Sequence, residues 1–266
     1  MRQVKAIAIA GLAATALLAN EVEAQGLARR ITGAPDGEVR MTFASRPEVC
    51  GDGVNNIRWG SRNRRHQDDD DVVYGDDGTC PCGKGPVRVV FKVRDHHVSR
   101  VRTAVGGEWR ADSKALDLGT VPVREAVSAL LAIATDGTNG GSEQAVFATI
   151  LADSVTVWPD LLRLARNQAA PSESRKQAVF WVAQAAGDSA TAGLADLADS
   201  EKEGDEIRKQ AVFALSQRPK DEGVPALIRI AKGSNSAEVR KSAMFWLGQS
   251  DDPRALALFE EILTRR

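Results

Sequence analysis

The 266-residue sequence predicts a mainly α-helical protein whose C-terminal part is an α-solenoid of paired helices, preceded by a small β-containing region. A five-residue pattern of Gln or Ser, Ala, Val or Met, Phe, and Ala or Trp occurs four times, at starts 33, 33 and 32 residues apart. A near-constant period in the low thirties is typical of stacked helical hairpins. Before the first copy, apolar and polar residues alternate in two segments, which indicates half-buried strands.

The first 24 residues have the three-part pattern of a secretory signal peptide. Arg2 and Lys5 supply positive charge, residues 6–19 form an apolar run, and small residues allow cleavage after Ala24. The alternative is a membrane anchor, for which an apolar run of 14 residues is short. No later segment is long and apolar enough to span a bilayer. We therefore expect a periplasmic or secreted mature protein with no membrane span.

Residues 25–118 form the predicted β-containing region. Segments 38–44 and 87–94 alternate between apolar and polar side chains, as half-buried strands do. A turn at residues 95–97 leads into a third predicted strand at 98–105. These strands would pack one apolar face against the rest of the region.

Cys50, Cys80 and Cys82 are candidates for a disulfide. In an oxidising compartment Cys50 is expected to pair with Cys80 or Cys82, which leaves one thiol over. A zinc site with one of the three histidines is an alternative, and so is a redox role for the sequence from Cys80 to Cys82. Both usually require at least two residues between paired cysteines, whereas only one lies here. The spacing therefore favours a disulfide over a metal site.

The stretch from residue 51 to 85 is polar and is predicted to be a long loop. It contains four consecutive aspartates at 68–71 and two more at 76 and 77. These carboxylates could bind Ca²⁺, but the spacing of an EF-hand loop is missing. A solvated acidic loop is the preferred interpretation.

Residues 119–266 are predicted to form four helix pairs and a terminal helix. The recurring five-residue pattern marks the second helix of each pair, and Asp252 is placed to cap the terminal helix. Prolines at 122, 159, 225 and 253 fall near the starts of upstream helices, where a missing N–H costs little. The upstream helices and the terminal helix are predicted at residues 123–134, 161–166, 192–198, 224–232 and 254–263.

The segment from Val239 to Gly248 resembles the second helix of a HEAT repeat of the short bacterial, phycobilisome-lyase-like type. Asp251, Asp252 and Pro253 are similar to the turn that follows in that family, and residues 207–215 repeat the likeness. The unit at 143–151 departs from it, because it lacks the Arg-Lys pair. The resemblance covers about residues 122–266. It implies an α-solenoid that binds proteins and carries over no catalytic residue, although some relatives attach or remove a bilin.

The second helices carry the candidate partner-binding residues. Residues at i, i+4 and i+8 share a helix face, so Val239, Ala243 and Leu247 form a packing row. A separate face carries a Lys, a Phe and a Gln in successive pairs, and second helices line the concave side of such a solenoid. Whether each Phe is exposed or packs between repeats is left open. The candidate residues are Phe147, Lys176, Phe180, Gln184, Lys209, Phe213, Gln217, Lys241, Phe245 and Gln249.

Charge and motifs narrow the function. The chain has 35 Lys and Arg against 36 Asp and Glu, a balance that argues against a nucleic-acid binder. Phosphate-binding loops, zinc-protease motifs and nucleophile elbows are absent from the sequence, and the repeats contain no His or Cys. We therefore expect a non-catalytic, cofactor-free scaffold that binds a protein or peptide. The alternatives are a bilin-type accessory lyase and a metal-dependent sensor built on the N-terminal region.

Overall fold

The computed structural model describes the chain in six stretches, residues 26–54, 56–59, 83–110, 114–136, 141–184 and 188–264. The predicted signal peptide, the acidic segment 68–77, Cys80 and Cys82 lie outside them. The described residues belong to two compact units, an N-terminal unit up to Val155 and a C-terminal unit from Thr156.

A four-stranded sheet forms the centre of the N-terminal unit. Its strands are β1 (Gly37–Phe43), β4 (Val87–Arg94), β5 (His97–Val105) and β6 (Leu116–Thr120). They lie in the order β5-β4-β1-β6. β4 is antiparallel to both β1 and β5, whereas β1 and β6 are parallel. The three predicted strands correspond to β1, β4 and β5.

Alternation in β1 and β4 determines which face of the sheet is buried. Val39 lies opposite Phe91, and Met41 lies opposite Val89, and all four side chains are almost fully buried. The residues between them point to the other face, because successive side chains in a strand alternate. The tight turn between β4 and β5 uses positive φ angles at Asp95 and His96, as hairpin turns with two central residues do.

Three short strands were not predicted. β3 (Ile57–Trp59) lies within the stretch that the sequence indicates as loop and pairs with β2 (Val49–Gly51), which ends at the first residue of that stretch, so the expectation of a loop was wrong at its start. β6 lies beside β1 with most of its residues exposed. Strands of three residues, or strands with little burial, show no clear alternation, which explains why the pattern missed them.

The first helix pair belongs to the N-terminal unit. It consists of α1 (Val123–Asp136) and α2 (Ser142–Ile150), which pack against each other. The Arg46 amide donates to the Leu151 carbonyl at 2.9 Å, and the Asp153 amide donates to the Ala44 carbonyl at 3.1 Å. These bonds join the end of α2 to the chain that leaves β1. The predicted boundary between residues 118 and 119 falls inside β6, and the compact unit continues to Val155.

The C-terminal unit is a stack of helix pairs, which confirms the predicted α-solenoid. We call the first helix of each pair the A helix and the second the B helix. Each B helix packs on its own A helix and on the B helices beside it. The A helices are α3 (Trp158–Arg166), α5 (Asp188–Asp199), α7 (Lys220–Gly233) and α9 (Pro253–Thr264); the B helices are α4 (Ser172–Ala183), α6 (Asp205–Ser216) and α8 (Ala237–Gly248).

The A helices begin up to four residues before their predicted starts. Pro225 therefore lies inside α7, not in its first turn as expected. The prediction for Asp252 is confirmed, because its carboxylate accepts a bond from the Arg254 amide at 2.9 Å, at the start of α9. None of the helices in the described stretches combines the length and the apolar character that a membrane span requires.

Small residues let the helices of the C-terminal unit approach each other closely. Ala178, Ala211 and Ala243 occupy equivalent places on successive B helices and are fully buried. Leucines on the A helices fill the space opposite, and each fully buried leucine contributes roughly 2 kcal/mol. The same repeating core holds the three B helices side by side, and this places their outward-facing residues in register.

Candidate functional site

The last B helix, α8, shows how each face is used. Val239, Ala243 and Leu247 are almost fully buried, as expected for a packing row. On the predicted binding face Lys241 and Gln249 are exposed, and Phe245 is 58% exposed. The pattern in the sequence therefore assigned the two faces of this helix correctly.

The earlier B helices carry the same residues with less exposure. Phe180 of α4 and Phe213 of α6 are half-buried, so they are neither core residues nor fully free. Lys176 is half-buried too, whereas Lys209, Gln184 and Gln217 are exposed. The structure thus brings six of the predicted residues onto the B helices of one unit, and the three glutamines directly follow the ends of those helices. Phe147, which is half-buried on α2, lies in the N-terminal unit.

Aromatic rings form a strip across the B helices, and we call Phe180, Trp181, Phe213, Phe245 and Trp246 the aromatic strip. Phe213 of α6 contacts Trp246 of α8 with ring centroids 5.0 Å apart. Within single helices, Phe180 meets Trp181, and Phe245 meets Trp246, edge to face at 5.0 Å. Both tryptophans are half-buried. They therefore add to the accessible aromatic surface.

Lys176 and Lys241 of the binding face are paired with glutamates that sequence reasoning missed. Lys176 lies 2.8 Å from Glu173 of its own helix and 3.2 Å from Glu206 of the next B helix. Lys241 lies 2.9 Å from Glu238. A glutamate three residues before each lysine was the available signal, because residues at i and i+3 are neighbours on a helix.

These pairs shift the pKa values of their members in the expected directions. The hydrogen bonds that Lys176 donates to Glu173 and then to Glu206 raise its pKa. The bond from Lys176 lowers the pKa of Glu206, and the bond from Lys241 lowers the pKa of Glu238. These ion pairs form a ladder of alternating charge beside the aromatic strip.

The arginine before each lysine has a structural role. Arg208 is buried, and its Nε donates to the Ala198 carbonyl at the end of α5 at 2.9 Å. Arg175 does the same one repeat earlier, to the Ala165 carbonyl at 2.8 Å. Carbonyls in the last turn of a helix have no partner within it, so these arginines satisfy them. The Arg-Lys pair places one cation in the interior and one on the surface.

The glutamines follow the last residue of each B helix. The backbone N–H groups of Gln184, Gln217 and Gln249 each donate to carbonyls of the preceding turn. Gln217, Gln249 and Trp246 line a cleft of about 250 Å³ between the ends of α6 and α8. The cleft extends the aromatic strip with polar groups that can donate and accept hydrogen bonds.

The described part of the N-terminal unit includes Cys50, His96 and His97 among its cysteines and histidines. Cys50 is buried in β2, while its predicted partners lie outside the described residues, so the pairing stays a prediction. His96 and His97 are exposed at the hairpin turn, as expected. Across the described stretches, no group of His, Cys, Asp and Glu has the geometry to hold a metal ion.

The outward face of the sheet contains an aromatic–cation cluster that the sequence did not indicate. Trp109 lies between two guanidinium groups, with Arg88 at 4.8 Å and Arg40 at 5.0 Å from the ring centroid. Arg40 also pairs with Asp117 at 2.9 Å, and burial lowers the pKa of Arg88. Arg88 donates to the carbonyls of Gly53 and Glu108, so the cluster ties loops to the sheet.

Comparison with known proteins agrees with the geometry of the C-terminal unit. Residues 191–266 match the family model of HEAT repeats. A search of curated proteins found no match to the chain. The matched segment includes the helices from α6 to α9, with their Arg-Lys pair and Asp-Pro turn. Residues 191–266 of this chain are therefore similar to HEAT repeats.

Proposed function

We propose that this protein is a scaffold that binds a protein or peptide through the aromatic strip on its B helices. The observation that carries the proposal is the exposure of aromatic rings on consecutive helices, above all Phe245 at 58%. Aromatic surface in contact with water is costly unless a partner covers it, and such patches commonly mark interaction sites. HEAT repeats commonly serve this purpose, and their B helices line the binding side.

The strip favours a partner with apolar anchor residues. Packed helices lie roughly 9 Å apart, a distance that about three residues of an extended peptide span. Apolar side chains at that spacing would contact Phe213 and Phe245 in turn. These rings lose little conformational entropy on binding, since each side chain has only two rotatable bonds and already contacts Trp246.

The charged ladder next to the aromatic strip affects the position at which a partner binds more than the affinity with which it binds. Its glutamates and lysines alternate, so it attracts neither acidic nor basic partners as a class. Exposed ion pairs contribute at most about 1 kcal/mol each, while they can disfavour a like charge placed opposite them. A partner segment with mixed charges around its apolar anchors fits this surface.

A capture experiment tests the proposal. Phe245→Ser and Phe213→Ser variants of the protein are used as bait in envelope extract, beside wild type and a Leu116→Ser control. Leu116 is a comparably exposed apolar residue of the N-terminal unit. We expect both strip variants to lose the captured partner and the control to retain it, with circular dichroism unchanged. Identical capture by all four folded proteins would refute the strip as the binding surface.

We also infer that the protein works outside the cytoplasm and contains a disulfide from Cys50 to Cys80 or Cys82. The leader pattern and the three cysteines support this, because disulfides persist in oxidising compartments. Mass spectrometry of the protein from a periplasmic fraction is the measurement. We expect a chain that begins after Ala24 and has one thiol reactive before reduction. A cytosolic chain that retains the leader would contradict the inference.

The proposed scaffold performs no catalysis and uses no cofactor. The composition of the proposed binding surface supports this. Its aromatic strip is apolar, and the charged groups of Lys176 and Lys241 beside the strip are held in ion pairs. A purified protein that converts or covalently holds a coloured bilin would favour the lyase alternative instead.

A further inference from the structure

The outward face of the sheet in the N-terminal unit carries an excess of positive charge. Paired residues of β1, β4 and β5 cross this face at successive levels, and Asp117 of β6 lies beside Arg40. Together these positions carry five cations and two carboxylates. We call this surface the cationic face. Its cations are Arg40, Arg88, Lys92, Arg100 and Arg102, and its carboxylates are Glu38 and Asp117.

Two of these cations lie opposite each other. Lys92 of β4 and Arg100 of β5 are direct partners in the register of the two strands. Like charges in this arrangement are destabilising, because opposite Cβ atoms are only about 5 Å apart. Arg100 is exposed and Lys92 is half-buried, and neither belongs to an ion pair in the described stretches. An anion bound between them would remove this repulsion.

Arg88 adds a third charge that no carboxylate neutralises in the described part of the chain. Its side chain is almost fully buried, and its contacts are the carbonyls of Gly53 and Glu108 and the ring of Trp109. Its Nε and the Nη1 of Arg40 are buried and have no hydrogen-bond partner among the described residues. Buried charges are normally paired with an opposite charge. Arg88 therefore raises the positive potential of the cationic face.

The two carboxylates of the cationic face are already in ion pairs. Glu38 lies 2.7 Å from Arg102, and Asp117 lies 2.9 Å from Arg40. The first pair is largely exposed, with 60% of the Arg102 side chain accessible, and exposed ion pairs contribute little to stability. A carboxylate from a partner can therefore displace Glu38 from Arg102 at small cost.

Strand geometry defines the spacing that an anionic ligand needs. Arg100 and Arg102 are two residues apart on β5, so their side chains leave the same face about 7 Å apart. An extended peptide with an acidic residue at every second position presents its carboxylates at the same interval. Each guanidinium group can bind a carboxylate through two parallel hydrogen bonds, and Lys92 adds a point charge beside Arg100.

We propose that the cationic face binds an acidic segment of a partner protein, in an extended conformation with Asp or Glu at every second position. Charge complementarity at this spacing supports an acidic peptide. A nucleic acid fits less well, because the chain has 35 Lys and Arg against 36 Asp and Glu and so lacks the general basic excess of such binders. The cationic face shares no residue with the aromatic strip, so this inference goes beyond the proposed function.

A synthetic acidic peptide is the probe. Glu and Thr alternate in it over about eight residues, within the usual length of a strand, and it carries a fluorescein label. Fluorescence anisotropy measures its binding to the 266-residue protein. We expect saturable binding that weakens as the ionic strength rises from about 0.05 M to about 0.5 M, because salt screens exposed charges. The same peptide with Gln in place of every Glu should not bind.

The arrangement of the charges is tested with a second peptide of the same composition. Its Glu residues are consecutive, so in an extended conformation half of them point away from the cationic face. We expect it to bind at least about threefold more weakly. Equal binding of the two acidic peptides would overturn the extended arrangement.

Two double variants of the protein locate the binding surface. Lys92→Gln/Arg100→Gln should weaken peptide binding about five- to tenfold, and its thermal midpoint should stay the same or rise because two like charges are removed. Arg29→Gln/Arg30→Gln removes as many exposed cations from the same unit and should leave binding unchanged. An equal loss of binding in both variants would mean general charge attraction and would overturn the proposal.

Other occupants of the cationic face give different results. A single-stranded DNA oligonucleotide that binds more tightly than the peptide, and is weakened by the Lys92→Gln/Arg100→Gln change, would assign the face to nucleic acid. A variant with Asn at residues 68–71 that binds the peptide far more tightly than wild type would assign the face to the chain's own acidic residues. Either result would overturn the proposal of an acidic partner.

Discussion

Replacing Arg208 with methionine tests whether the buried arginine stabilises the helix stack. Its Nε donates to the Ala198 carbonyl at 2.9 Å, and a terminal nitrogen donates to Ser234 Oγ at 3.1 Å. Asp205 lies further off, at 3.6 Å. Methionine keeps an apolar side chain of similar reach and removes every donor, so the Ala198 carbonyl is left without this partner.

The size of the expected destabilisation by Arg208→Met follows from these contacts. A hydrogen bond to a charged group contributes about 1.5–3 kcal/mol, and a buried acceptor left without a donor costs about 1–3 kcal/mol. Part of this is offset, because methionine removes the desolvation cost of a buried cation. We therefore expect Arg208→Met to lower the free energy of unfolding by about 2–4 kcal/mol.

The adjacent residue provides a matched control. Lys209 is exposed on the same helix, and Lys209→Met should change stability by no more than about 0.5 kcal/mol. Urea unfolding followed by circular dichroism measures both variants. If the two midpoints shift equally, the buried arginine does not stabilise the stack and the structural role assigned to it is wrong.

Two further predictions concern the joints between repeats. A Cβ on Gly223 would come closer to the Leu215 carbonyl oxygen than van der Waals contact allows, so Gly223→Ala should destabilise the protein by about 1–3 kcal/mol. Gly233→Ala, in the same helix with open space around it, is the control and should not lower the thermal midpoint. The bonds from Arg254 lower the pKa of Asp252 from 3.8 to about 2, so its charge stabilises the folded state above pH 3.8 and loses that effect as pH falls towards 2. The stability difference between wild type and Asp252→Asn should therefore narrow over that range in urea titrations, and a constant difference would contradict the assignment.

Much of the fold was predictable because repeats leave a periodic signal. Each B helix must bury one face against its A helix, so Ala178, Ala211 and Ala243 recur at almost constant spacing. The strands β1 and β4 were visible for the same reason, since their alternation reflects one buried face. β6 lacked such a signal, because it is mostly exposed and is held by backbone bonds that any residue can make.

The candidate site was predicted in part. Helical spacing put Phe213 and Phe245 at equivalent positions of successive B helices, where Phe213 is half-buried and Phe245 is exposed. The structural role of Arg208 was missed, because an Arg beside a Lys looks like two solvated cations until the neighbouring helix is placed. Consecutive residues point 100° apart on a helix, so one of the pair faces the preceding A helix and the other faces solvent.

The sequence by itself determined the paired helices and the face on which each residue lies, because 3.6 residues per turn convert spacing directly into direction. Only the tertiary structure decided how much of each residue is accessible. Phe213 and Phe245 occupy the same place in the same pattern, yet one lies under Trp246 of the next helix and the other does not. Exposure depends on the presence of a neighbour, and a repeating pattern does not show which of its copies lacks one.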